Sequence, residues 1–74
     1  MDIREIFALN LKAHRKAKAL SQEELAHLAG IDRTYVSLLE RRIYSASIDV
    51  VQQLATALEI EPDELLRRPQ KPRK

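Results

Sequence analysis

In the stretch 33–41, RTYVSLLER, helical spacing gathers Arg33, Thr34, Ser37 and Arg41 on one side of a wheel, with Leu38 at its edge. Tyr35, Val36 and Leu39 gather on the other side. A row of arginine and short hydroxyls on one face of a short helix has the chemistry to read base-pair edges. A guanidinium can bond guanine bidentately, small side chains let the helix come close, and a leucine can touch a thymine methyl. For Leu38 an interhelical edge contact fits equally well. Arg33 and Thr34 stand at the N-terminal end, which is the end that enters a major groove. Tyr35 belongs mainly to the packing side, with its hydroxyl a candidate for a phosphate.

Other chemistry finds no support. His14 and His27 are isolated, with no second ligand at metal spacing, and cysteine is absent. There is no glycine-rich phosphate loop, no paired carboxylates in a pocket-forming context and no nucleophile beside a base. No enzyme activity, cofactor or metal is expected.

The elements that position this face come next. Residues 22–41 read as two short helices hinged at Gly30, the only glycine. Leu25, Ala29, Ile31, Val36 and Leu39 point inward if the helices meet steeply there, and Ala26 is the small residue at their crossing. Gly30 suits the left-handed conformation that ends a helix, and Asp32 is placed to cap the next one through the amide of Thr34 or Tyr35. Ser21 and Glu24 form a capping box, so the earlier helix starts at Gln22. Its outward amides and positive dipole end suit a phosphate, which makes Gln22 a candidate backbone contact.

LSQEELAHLAGIDRTYVSLLER, carried by residues 20–41, resembles the helix-turn-helix of the phage-repressor-like (Cro-like, or xenobiotic-response-element) transcription regulators. The similarity runs from about Ile6 to Leu66, and through IDRTYVSLLE the chain looks most like the short controller proteins of restriction-modification systems. The resemblance implies an all-α, five-helix, lambda-repressor-like DNA-binding domain. It also implies that Arg15, in the first helix, pairs with Glu40 at the end of the recognition helix. After Glu40 the pattern departs from the family: Arg42 stands where glycine is usual, so either an arginine is left-handed or the helix ends differently. Arg41, Arg42, Tyr44, Ser45 and Ser47 are candidate backbone contacts, because this loop leads into another capped helix start at Ser47.

Elsewhere the chain supports this unit. Asp2 and Glu5 have capping-box spacing ahead of a first helix, whose stripe of Ile6, Phe7, Asn10, Leu11 and His14 faces the core. A fourth helix is expected over 48–58, with Val51, Leu54, Ala55 and Leu58 inward. Pro62 opens a short fifth one. Ile60, Leu65 and Leu66 exceed what so short a helix can bury; they either form the homodimer interface that the resemblance implies or close the monomer core.

The 74 residues make one domain, 1–66, followed by a basic tail, RRPQKPRK at 67–74, expected to be disordered. The net charge of +2 is segmented: residues 43–66 carry five acids and no base, and the tail carries five bases and no acid. Placement of charge, not its total, therefore argues for nucleic acid. The tail either adds non-specific DNA affinity or solubilises the chain. No apolar run approaches a bilayer span and the acidic start is unlike a signal peptide, so a bacterial cytoplasmic protein, on the nucleoid when bound, is expected.

The reading is a homodimeric regulator of double-stranded DNA that represses over a promoter or recruits polymerase from upstream, with no small-molecule effector. A DNA-binding antitoxin or protein-interaction module gripping a partner through Ile60, Leu65 and Leu66 is one alternative. An RNA-binding or structural use of the bundle is another.

Overall fold

A computed structural model describes residues 2–69. Four α-helices follow in order, α1 (Ile3–Ala17), α2 (Gln22–Ala29), α3 (Arg33–Glu40) and α4 (Ile48–Leu58), and a single 3-10 turn, Pro62–Leu65, closes the domain. Among the described residues there is no strand, and no helix is long and apolar enough to cross a membrane. The part of the expected tail at 70–74 lies outside the described residues.

The fifth element is therefore not an α-helix. Its amide bonds reach back only three residues, from Glu64 to Glu61 and from Leu66 to Asp63. Asn10 bonds the end of this turn, donating from Nδ2 to the carbonyl of Leu65 at 3.0 Å and to that of Arg67 at 2.7 Å. Leu65 is drawn wholly into the core by this turn.

Side chains begin the helices. Asp2 accepts from the Glu5 amide, Asp32 from Thr34 and Ser47 from Val50, while Ser21 and Glu24 close a reciprocal box. The Asp2 box is only half made, because the Glu5 carboxylate lies 3.5 Å from the Arg42 guanidinium.

All four helices end in one way. At Ala19, Gly30, Arg42 and Glu59 the backbone is left-handed, with φ of 58°, 73°, 64° and 61°. In each case the next residue's amide bonds a carbonyl five positions back: Leu20 to Arg15, Ile31 to Ala26, Ile43 to Leu38 and Ile60 to Ala55. This is the Schellman ending, and the residue after each left-handed position is a large aliphatic. Arg42 thus takes the first of its two expected courses: it adopts glycine's conformation, at a cost on the order of 1 kcal/mol.

The core is aliphatic. Leu11, Leu25, Val36, Leu39, Leu54, Leu58 and Leu65 are essentially without exposed surface, with Phe7 and the small residues Ala26, Ala29 and Ala55 between them. α3 packs on α2 and α1, while α4 packs on α2 and the closing turn.

Exposed Ala19 offers a clean measure of the left-handed endings. Ala19→Gly removes a Cβ conflict of about 1–2 kcal/mol but loosens the unfolded chain, so a net gain of about 0.5–1 kcal/mol is expected in urea unfolding.

Candidate nucleic-acid interface

α3 is two-sided, as its residue types require. Val36 and Leu39 are buried on its inner side. Arg33 and Thr34 are exposed at its first turn, and Arg41, which caps its last, is exposed as well. Ser37 and Leu38 are half-buried. The Leu38 carbonyl receives the amides of Ile43 at 2.9 Å and Tyr44 at 3.4 Å, which fastens the following loop to the helix. Tyr35 is half-buried, and its ring meets that of Tyr44 edge to face with centroids 6.1 Å apart. This aromatic contact joins helix to loop and has no spacing signal in the sequence.

Arg42, Tyr44, Ser45 and Ser47 are all exposed in the loop beyond. The Ser47 hydroxyl accepts from the Val50 amide at 3.1 Å and keeps its own proton for an outside acceptor. α3 and this loop thus form one continuous stretch of donors. Of the residues expected at a subunit interface, Leu66 is 43% exposed, Ile60 is partly buried against the core, and Leu65 is 0% exposed. Leu65 has no surface left to offer a partner, which corrects its expected place there. Ile48, not singled out from the sequence because it opens a helix, is 87% exposed. It borders an apolar groove with Val51, Pro62 and Leu66.

Beneath α3 lies a network of charge. Arg15 donates from Nε to Glu40 Oε2 at 2.6 Å and from Nη2 to Oε1 at 3.1 Å, while its Nη1 bonds the Leu20 carbonyl at 2.8 Å. The two side chains are 11% and 4% exposed. Hydrogen bonding to Glu40 holds the arginine above its ordinary pKa, against the opposing effect of burial. Gln22 turns partly inward, donating from Nε2 to Glu40 Oε1 at 3.1 Å. One carboxylate therefore joins α1, α2 and α3. Among the described residues no buried side-chain nitrogen or oxygen lacks a partner. The Gln22 bond was not foreseen, because Gln22 and Glu40 lie 18 positions apart, in different helices.

The model of the helix-turn-helix family HTH_3 matches residues 11–65, and the chain belongs to that family. It is similar to a hypothetical transcription factor of Neisseria meningitidis serogroup B, 41% identical over 93% of this chain and 65% of that protein. A crystal structure of the Neisseria factor NHTF aligns with a TM-score of 0.89 at 40% identity, covering 92% of this chain and 78% of that one. Control protein C.SmaI of Serratia marcescens is 40% identical over 92% of this chain and 81% of its own length. The restriction-modification controller protein C.AhdI of Aeromonas hydrophila aligns with a TM-score of 0.82 at 48% identity, covering 84% of this chain and 94% of that one. The chain thus spans just under two thirds of the length of the Neisseria relative.

Arg15→Ala leaves the buried Glu40 carboxylate without its counter-charge. A loss of about 3–5 kcal/mol in unfolding free energy is expected, whereas replacing both partners by apolar residues of similar volume restores most of it. An unchanged melting midpoint for Arg15→Ala would show the pair to be dispensable.

Proposed function

We propose that the chain is a sequence-specific double-stranded DNA-binding transcription regulator, acting as a homodimer on a palindromic operator with α3 in the major groove. One observation carries this: a short helix anchored by the buried Val36 and Leu39 presents exposed Arg33 and Thr34 at its N-terminus, inside a helix-turn-helix domain. In this reading Arg33, Thr34, Ser37 and Leu38 read base edges. Gln22, Tyr35, Arg41, Arg42, Tyr44, Ser45 and Ser47 hold the backbone. Residues 1–66 are the DNA-binding unit, and the basic stretch 67–74 adds affinity that does not depend on sequence.

The second subunit docks on the apolar face of Ile48, Val51 and Leu66, and half-buried Ile60 belongs to the same proposed contact. A twofold axis there sets two copies of α3 about one helical turn, or ~34 Å, apart along the duplex. Regulation follows from occupancy of a bacterial promoter, without an effector. The names of the relatives, a transcription factor and controller proteins, support the same reading.

Fluorescence anisotropy on the duplex upstream of the protein's own gene and on a scrambled duplex tests the reading. A margin of about a thousandfold is expected near physiological salt, with Arg33→Ala erasing most of it. Equal weak binding to both, unaltered by Arg33→Ala, is the contrary result. For the subunit contact, Ile48→Asp is expected to leave the helical circular dichroism of the folded chain unchanged, because its side chain is 87% exposed, and to shift sedimentation from dimer to monomer.

A further inference from the structure

We infer that Glu40 is a positioning residue for DNA binding, orienting the Gln22 carboxamide so that its second N–H meets a backbone phosphate while Arg15 cancels the charge that would repel that phosphate. The inference rests on the DNA-binding reading above.

Glu40 sits where a carboxylate is doubly disfavoured. It is the last residue of α3, at the negative end of the helix dipole, and its side chain is 4% exposed. Arg15 makes it tolerable with two bonds. Stability alone does not call for such a pair, since well-packed apolar side chains of the same volume hold a fold as well or better. What apolar side chains cannot supply is an acceptor for Gln22. Glu40 Oε1 takes Nη2 of Arg15 and Nε2 of Gln22, each at 3.1 Å, so the carboxamide is tied to a point fixed by two other helices.

Gln22 opens α2, directly after the Ser21 cap, where the positive end of the helix dipole favours an anion. A free glutamine there would sample many rotamers and lose that freedom on binding. With one N–H on Glu40, the other remains for a phosphate, and its direction is set before the duplex arrives. The ion pair also keeps the site electrically neutral. An unpaired Glu40 carboxylate behind Gln22 would face the phosphate with like charge.

A double-mutant cycle on the full chain tests this, read by anisotropy on the upstream duplex with melting followed by circular dichroism. Gln22→Ala is expected to weaken binding roughly tenfold in the otherwise unaltered chain. The paired replacement Arg15→Met with Glu40→Leu keeps the fold and weakens binding to the same degree, and Gln22→Ala adds nothing further in that background. Glu40→Gln keeps an acceptor oxygen for Gln22, so in the temperature range where it is folded the tenfold effect of Gln22→Ala persists. Additive losses in the paired background, or no effect of Gln22→Ala in a chain that binds its duplex, overturn the inference. Should the unaltered chain bind neither the upstream nor the scrambled duplex, the DNA-binding reading falls, and the inference with it.

Discussion

One buried carboxylate sets how three of the helices meet. Glu40 has almost no contact with water, and an isolated charge in that position would undo a domain of this size. Arg15, crossing from α1, neutralises it, and Gln22, reaching over from α2, donates a further hydrogen bond, so the end of α3 is fixed relative to two other helices. Arg15 is itself fixed by the loop it helps to form. Its guanidinium bonds the Leu20 carbonyl while its own carbonyl receives the Leu20 amide. Polar geometry, which is directional, thus adds to a leucine-rich core that is not.

That division of labour suits a short helix with one exposed side. Eight residues of α3 are too few to hold a helix in water alone. Val36 and Leu39 supply the attraction on one side, Glu40 fixes the end, and the loop amides of Ile43 and Tyr44 cover the Leu38 carbonyl. The exposed side chains of Arg33 and Thr34 are then free of structural duty, and their exchange would alter the surface of α3 without altering what anchors it.

Much of this was legible in the residues. The starts of α1, α2, α3 and α4 all fell where Asp2, Ser21, Asp32 and Ser47 announce them, because a cap is decided by residues within three positions. The inner face of α3 followed from period alone. The closing element is a 3-10 turn and not a fifth α-helix, and the bond that holds its end comes from Asn10, which is 55 positions from Leu65 and carries no local mark of that role. Leu65 and Leu66 are identical neighbours with opposite surroundings, and only the path of the turn separates them. The left-handed ending at Arg42 was one of its two expected courses, whereas those at Ala19 and Glu59 carry no glycine to mark them. The better signal was the aliphatic residue just beyond, at Leu20, Ile43 and Ile60.

Those repeated endings bear on how quickly the chain can find its fold. Each helix is stopped by hydrogen bonds that reach no further than five residues, so its boundary is settled before any distant part of the chain is encountered. The search that remains is the docking of segments whose ends are already defined, joined by connections of a few residues. Such local encoding is the hallmark of small helical domains that fold within microseconds to milliseconds. A newly synthesised copy would then hide its apolar surfaces soon after leaving the ribosome.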